Sequence, residues 1–223
     1  MAPSSDLKHR CGILDGTPEG IMKDGAYLHE GSDKSRAVFL FTDIFGLGLV
    51  NSKLMADRFS KELDCDVWVP DLFAGRPPFD VMELGPLLPD RAGAKRGVMT
   101  VLRLVFLFLR RLHLRFASRP SVVDERIQAF IFKTQVARKY QKIGAVGYTL
   151  GGAAAVRLGA TEFINSIVVA TPARTDMPEY ESIRIPTLFI CAEDDRSFNA
   201  SYRDEVEAVF AARKDKPSFV DYG

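Results

Sequence analysis

The stretch that most constrains the fold is Gly147–Gly152, which reads Gly-Tyr-Thr-Leu-Gly-Gly. It joins a strand-like apolar run at Ile143 to Tyr148 to a helix-like run at Ala153 to Leu158. Glycines two positions before and two positions after Thr149 are typical of a turn too tight for a Cβ atom. The sequence therefore predicts a strand, a sharp turn and a helix, with Thr149 at the apex.

A turn of this form is a nucleophile elbow, in which the apex side chain is raised from the carboxyl edge of a sheet toward a substrate carbonyl. Thr149 is an unusual residue for that position. A β-branched side chain is unfavourable at the positive φ that such an apex adopts. A threonine hydroxyl is also a weak nucleophile unless a base activates it. The motif indicates acyl chemistry, whereas its central atom argues against easy hydrolysis.

Composition excludes several classes of protein. With 223 residues, 47% of them apolar, and a formal net charge of +1, the chain fits a single α/β domain over residues 1–223 and gives no indication of nucleic-acid binding. The first twenty residues lack the apolar core of a signal peptide, and no apolar run approaches the roughly 18 residues of a membrane span. We expect a cytoplasmic protein with no membrane span.

The cysteines predict neither a disulfide framework nor a metal centre. Cys11, Cys65 and Cys191 are odd in number, widely spaced and without a CxxC pair, which favours reduced thiols. Cys65 lies between two aspartates that oppose thiolate formation, and Cys191 ends an apolar strand, so both are interpreted as structural. We expect no metal and no cofactor.

Alternating strand and helix patterns predict a doubly wound, mostly parallel sheet with helices on both faces. Residues 1–31 are interpreted as an irregular N-terminal segment with a short strand near Ala26 to His29. Further strands are predicted at 37–41, 67–69, 143–148, 165–170, 185–191 and 218–222. Helices are predicted at 51–63, 121–140, with Ile127, Phe130, Ile131 and Val136 on one side, and 200–212.

The stretch from Arg91 to Arg119 contains eight lysines or arginines and no acidic residue, and it surrounds the apolar run Val98 to Leu109. It follows a segment, residues 76–97, that is interpreted as a loop or lid with short helical pieces. One interpretation is a basic amphipathic element that contacts a membrane surface or an anionic partner. The favoured one is a largely buried helix whose arginine side chains lie along the fold.

Four motifs in the same order give the chain a resemblance to a known family. They are Asp43-Ile44-Phe45-Gly46, Val69 to Gly75, Gly147 to Gly152, and Ala192-Glu193-Asp194-Asp195. With these motifs the chain resembles the dienelactone hydrolase family, a branch of the α/β-hydrolases, and especially its fungal members. The resemblance runs from about Cys11 to Gly223 and implies an α/β-hydrolase fold that is shortened at its C-terminus.

The resemblance implies hydrolysis of a small ester or lactone by a cysteine, aspartate and histidine triad without a cofactor. It places Thr149 at the nucleophile position and Asp195, or alternatively Asp194, at the triad acid. The backbone N–H groups of Ile44 and Leu150 match the oxyanion hole. Three further residues are expected to contact the substrate: Asp43, Phe45 and Tyr148.

Two departures from the family pattern leave two hypotheses open. Threonine replaces the cysteine, and the histidines, His9, His29 and His113, all precede Thr149, whereas the triad order is nucleophile, acid, histidine. The first hypothesis is a weak hydrolase that uses Thr149 with another base, or that belongs to a longer chain. The second is an inactive relative that binds a ligand or a protein. The unpaired edge of the last strand, 218–222, also predicts a possible homodimer.

Overall fold

A computed structural model describes residues 12–88, 97–193, 195, 197–211, 213–214 and 216–222. The strands are β1 Ile21–Lys23, β2 Ala26–His29, β3 Asp33–Phe41, β4 Cys65–Pro70, β5 Lys142–Thr149, β6 Ser166–Pro172, β7 Thr187–Ala192 and β8 Ser218–Tyr222. The helices are α1 Asn51–Leu63, α2 Val81–Leu84, α3 Val98–Arg110, α4 Leu112–Ala117, α5 Pro120–Arg138, α6 Leu150–Leu158, α7 Met177–Glu181 and α8 Ala200–Phe210.

The strands form one eight-stranded sheet in the order β1-β2-β4-β3-β5-β6-β7-β8. Neighbouring strands from β4 through β8 in this order run parallel, and the β1–β2 and β2–β4 pairs are antiparallel. The predicted doubly wound, mostly parallel sheet is confirmed. Because β3 and β5 lie side by side at its centre, the segments that follow them meet at the carboxyl edge, where open α/β sheets bind ligands.

Successive side chains of β3 point to opposite faces of the sheet, because the side-chain period of a strand is two residues. Phe39 and Phe41 are fully buried in the larger core, which also contains Ile127 of α5 and Val156 of α6. Leu40 points to the other face, into a smaller core that includes α1. A central strand covered on both sides explains why β3 is continuously apolar from residue 37 to residue 41.

The N-terminal segment is more regular than its polar sequence predicted. The predicted short strand at Ala26 to His29 is confirmed as β2. The irregular assignment is wrong for 21–23, where β1 forms an antiparallel hairpin with β2 that joins the sheet through β4. Asp24 and Gly25 have φ of 54° and 79°. Two successive positive φ values are typical of the type I′ turn that Asp-Gly favours. Residues 1–11, including Cys11 and His9, lie outside the described residues.

Helix α5 confirms most of its predicted apolar face but corrects one member. Ile127 and Ile131 are buried and Phe130 packs against the same core, whereas Val136 is 61% exposed. At about 100° per residue, position 136 lies half a turn away from position 127. The two side chains therefore cannot share one face of a straight helix.

The favoured interpretation of the basic apolar stretch is wrong. Helix α3 forms over the predicted run, but only Leu107 of its side chains is buried, and Phe106 and Leu109 are 67% and 66% exposed. The pattern could not show this, because a helix that is apolar on most sides predicts burial whichever side faces the core. No helix in the described ranges is both long enough and apolar enough to cross a membrane.

Candidate active site at the carboxyl edge of the sheet

The turn between β5 and α6 has the geometry that its sequence predicted. Thr149 ends β5 with φ of 52° and ψ of −110°, and α6 begins at the next residue, Leu150. Its side chain is exposed. The backbone carbonyl of Thr149 accepts a hydrogen bond from the N–H of Ala173 at 2.7 Å, which ties the turn to the end of β6. Thr149 is thus held in a strained conformation by the elements around it.

The glycines of this turn are required by close backbone contacts. A Cβ atom on Gly147 would lie 2.2 Å from the carbonyl oxygen of Gly151. One on Gly151 would lie 2.3 Å from the carbonyl oxygen of Phe41, at the end of β3. Any side chain at either position would displace backbone atoms, so these residues allow α6 to start directly against the central strands.

The loop after β3 is fixed by its own aspartate. The carboxylate of Asp43 accepts a hydrogen bond from the N–H of Phe45 at 2.8 Å. The N–H of Gly46 donates to the Asp43 carbonyl at 3.2 Å, and Gly46 has φ of 59°. The carbonyl of Ile44 accepts from the N–H of Phe79. This tight turn places Ile44 at the carboxyl edge beside α6.

Ile44 and Leu150 line the same cavity, which has a volume of about 570 Å³. Leu150 is the first residue of α6, and the first N–H groups of a helix have no intrahelical acceptor. The cavity therefore contains both residues whose amides were predicted to form an oxyanion hole. The residue at the apex, Thr149, directly precedes Leu150.

Most of the cavity wall comes from segments that the motifs did not identify. Its apolar part includes Pro78, Phe79, Phe108, Leu112, Phe116 and Pro120, and its polar part is Ser118, Arg115 and Arg119. The rings of Phe79 and Phe108 pack with centroids 4.9 Å apart, and the guanidinium of Arg115 lies 5.4 Å from the Phe108 centroid. In the sequence, the aromatic residues at helical spacing within residues 98–119 were the pattern that could have indicated this wall.

Asp43 and Tyr148 lie on the α1 side of this edge. Burial raises the pKa of the Asp43 carboxyl above its ordinary value, although the Phe45 amide partly opposes the shift. Burial also raises the pKa of Tyr148, and the Asp43 charge adds to the increase. The Tyr148 hydroxyl donates to Met55 Sδ at 3.3 Å, so it points to α1. Neither residue lines the cavity, and Phe45 packs behind its wall against Phe79.

Asp195 follows β7, with β6 between its strand and the strand of Thr149. Its Oδ1 accepts hydrogen bonds from the N–H groups of Ser197 and Phe198 at 2.7 and 3.0 Å. Its Oδ2 is buried and has no hydrogen-bond partner in the part of the chain that the structure describes. Burying a carboxylate oxygen without a hydrogen-bond partner costs free energy, so this oxygen is a candidate acceptor for a hydrogen bond from a further group. The alternative acid, Asp194, lies outside the described residues.

The two described cysteines, Cys65 and Cys191, are free and buried. Burial raises the pKa of both thiols. Neighbouring aspartates add to the shift at Cys65, but burial is the larger cause. At Cys191 the neighbouring Arg203 partly opposes the shift. Neither thiol is exposed as a reactive cysteine is.

A family model described as the dienelactone hydrolase family matches residues 25–222. Because the match covers most of the sequence, the chain belongs to the dienelactone hydrolase family. This confirms the resemblance inferred from the four motifs.

The relatives include fungal and animal proteins. The chain is 30% identical over 187 residues to hydrolase pyvD of Aspergillus violaceofuscus and 29% identical over 165 residues to a carboxymethylenebutenolidase homolog of Pongo abelii. The matches cover 83% and 73% of this chain, but 66% and 57% of those two proteins. The chain therefore spans less than two thirds of the length of either relative.

Solved structures share the fold. A Klebsiella pneumoniae protein described as a candidate dienelactone hydrolase superposes with a TM-score of 0.66 at 14% identity, covering 89% of this chain and 79% of that one. At this identity the likeness establishes the α/β-hydrolase fold and nothing about substrate.

Proposed function

We propose that this protein binds the carbonyl group of a small ester or lactone in the cavity beside the β5–α6 turn, and that it hydrolyses such compounds weakly. The observation that carries the proposal is the shared cavity of Ile44 and Leu150, next to the strained apex at Thr149. Two backbone N–H groups directed at one carbonyl oxygen would stabilise the negative charge that develops on it during acyl transfer. The β5–α6 turn is then a nucleophile elbow.

The reaction would proceed by acyl transfer. The Oγ of Thr149 forms a bond to the carbonyl carbon, its proton passes to a base, and the carbonyl electron pair moves to the oxygen. When the intermediate collapses, the bond to the leaving alcohol breaks and the alcohol takes up a proton. Water repeats the same steps on the acyl group and releases the acid. The two amides also stabilise the oxyanion when water attacks the ester carbonyl directly, so this slower route does not need the hydroxyl of Thr149.

The rate of hydrolysis is limited by the side chain at the nucleophile position and by the base that it needs. A hydroxyl is almost fully protonated at neutral pH, so Thr149 needs a base, and the histidines of this sequence all precede it. In the triad order a histidine would follow Asp195, whose Oδ2, without a partner among the described residues, offers the acceptor that would orient its ring. Oxyanion binding without a working triad retains about 10³ to 10⁴ over water in well-studied hydrolases.

Acylation of the variant Thr149→Cys by p-nitrophenyl acetate tests the proposal. A thiol at the first turn of a helix ionises more readily than an ordinary one. We expect a burst of about one nitrophenolate per protein molecule and an acetyl adduct on position 149 by peptide mass spectrometry. The unaltered chain is the matched control, because it carries the same three native cysteines. A variant that gives no burst and no adduct at 149 would refute the proposed site.

A second candidate function is ligand or partner binding without turnover. It is favoured by the threonine at residue 149, where the family pattern has a cysteine, because a threonine hydroxyl is a weak nucleophile. A fluorophosphonate probe decides between the two, because only an activated hydroxyl reacts with it. Labelling of Thr149 would exclude the binding-only function, and an unlabelled chain that still binds an ester in the cavity would establish it.

Location and assembly are further parts of the proposal. The free thiols of Cys65 and Cys191 support a reducing, cytoplasmic compartment. Strand β8 is the last in the sheet order and pairs only with β7 among the described strands, which supports a homodimer through its outer edge. Light scattering on Val220→Pro tests the dimer: a proline on that edge should yield a monomer, and an unchanged mass would exclude β8 as the interface.

A further inference from the structure

Helix α3 turns its most apolar side toward solvent. Val98, Leu102, Val105 and Leu109 are between 51% and 79% exposed. Their spacing of four, three and four residues places them along one side of a helix, opposite the buried Leu107. A solvent-facing side that consists of large aliphatic residues is the reverse of the usual arrangement of a surface helix.

The exposed apolar surface is wide. Met99, Val101 and Phe106 flank the central row and are 63%, 44% and 67% exposed, and it continues on α4 with Leu112 and Phe116 at 44% and 65%. We call these residues of α3 and α4 the α3–α4 face. Contiguous apolar patches of this kind mark interaction surfaces, whereas isolated exposed apolar residues do not.

Arginines border the α3–α4 face, and acidic residues are absent from 97–119. Arg110 and Arg111 form ion pairs with Glu83. Within the described residues, Arg103, Arg115 and Arg119 have no ion pair with a carboxylate, and all three are exposed. The face therefore combines apolar side chains with uncompensated positive charge, which complements an anionic apolar boundary.

A second copy of this chain fits the same face poorly. Two copies related by a two-fold axis would bring the same surface patch against itself, and hence arginines against arginines. Helices that pair with each other usually carry both acidic and basic residues on either side of a narrow apolar stripe. Here the apolar sector is broad and its border is only basic. These features favour a lipid surface, whose anionic headgroups lie directly outside its apolar interior.

We propose that the α3–α4 face docks on an anionic membrane surface, with the helices lying in the plane of the interface. Phe106 and Leu109 enter the boundary between headgroups and acyl chains, and Arg103 contacts headgroup phosphates or carboxylates. Leu112 and Phe116 of this face also line the 570 Å³ cavity, so docking places the cavity next to the lipid. If the proposed function holds, the ester is lipophilic and enters from the membrane. The docking itself does not depend on that function.

Sedimentation with lipid vesicles tests the docking. Vesicles of phosphatidylcholine with about 30 mol% phosphatidylserine are compared with pure phosphatidylcholine at about 0.02 M and about 0.5 M salt. We expect the full chain to partition about tenfold or more in favour of the anionic vesicles at low salt, and less at high salt. The double variant Phe106→Ser, Leu109→Ser should lower the partition coefficient by about tenfold.

Phe132→Ser is the matched control, because Phe132 is 62% exposed on α5, away from the α3–α4 face. It should leave vesicle binding unchanged, and circular dichroism should show that both variants are folded. Failure of the full chain to bind anionic vesicles, or equal loss in the control, would overturn the proposal. A dimer in light scattering that the double variant dissociates, without vesicle binding, would assign the face to a second copy and also overturn it. Sedimentation measures binding and not ester hydrolysis, so a failure of the chemistry at Thr149 leaves the result unchanged.

Discussion

The β5–α6 turn and the α3–α4 face border one cavity, but their residues are constrained in opposite ways. At the turn, backbone atoms of the central strands leave no space for a Cβ atom, and Thr149 is held at φ 52°. On the face, large side chains project into solvent with few contacts. Strain at the turn is thus offset by packing within this chain, whereas the exposed apolar area must be covered by something outside it.

The largest effect should come from Gly147→Ala. The added Cβ would lie 2.2 Å from the Gly151 carbonyl oxygen, so the turn must distort. We expect a loss of about 4 kcal/mol in the free energy of unfolding, measured by urea denaturation. Gly144→Ala is the control in the same strand, since its nearest contact would be an ordinary 3.5 Å. Equal costs for both variants would show that the turn is not tight.

Ile127→Ala compared with Leu109→Ala sharpens the contrast between core and face. Ile127 is fully buried and Leu109 is 66% exposed. We expect the first substitution to cost about 3 kcal/mol of unfolding free energy and the second to change it by less than about 0.5 kcal/mol. A cost at Leu109 near that at Ile127 would show that α3 packs against the body of the protein.

Thr149→Gly should stabilise the chain by about 1 kcal/mol, because glycine tolerates positive φ that a β-branched residue does not. The gain is smaller than the relieved strain, since glycine also increases the entropy of the unfolded chain. Thermal unfolding at neutral pH measures it. A destabilised variant would mean that Thr149 contributes more packing than strain.

A smaller, pH-dependent effect is expected at Asp43. Burial raises its pKa in the folded state, so the folded protein holds this proton more tightly than the unfolded chain. Its unfavourable contribution is absent below the ordinary pKa of 3.8 and develops as the pH rises through the folded pKa. Asp43→Asn should therefore be more stable than the parent at pH 7, and the difference should vanish in acid.

Asp33→Asn is the control of opposite sign. Hydrogen bonds from Ser35, and then from Arg36, lower the pKa of Asp33 to about 2. Its stabilising contribution is full above 3.8 and is lost as the pH falls toward 2. The variant should be less stable than the parent at pH 7 and approach it in acid. Urea denaturation between about pH 3 and pH 7 compares the pairs, and parallel curves would contradict both assignments.

The sequence predicts the parts of this fold that depend on local pattern. Apolar runs located β3 to β7, and the glycines around Thr149 located the turn. The exposure of α3 could not be predicted from the sequence, because a helix that is apolar on most sides does not show which of its sides packs against the core. The Asp24-Gly25 dipeptide is typical of a β-hairpin turn, but the surrounding polar residues favoured an irregular segment there.

Sequence motifs pointed to the backbone groups of the candidate site but not to the side chains that line its cavity. Ile44 and Leu150 follow from motifs at the ends of β3 and β5, which the parallel sheet brings together. Phe79 comes from a segment distant from Phe108 and Phe116, and no local spacing connects it to them. In the described part of the chain, Asp195 Oδ2 has no hydrogen-bond partner, and this too is a property of tertiary packing that residue order does not show.

Steady-state hydrolysis of p-nitrophenyl acetate by the unaltered chain and by Thr149→Ala tests the central claim most directly. The account predicts slow hydrolysis that falls little, at most about tenfold, when the hydroxyl is removed, because the backbone amides of Ile44 and Leu150 remain. Fast, saturable turnover by the unaltered chain that Thr149→Ala abolishes would contradict it.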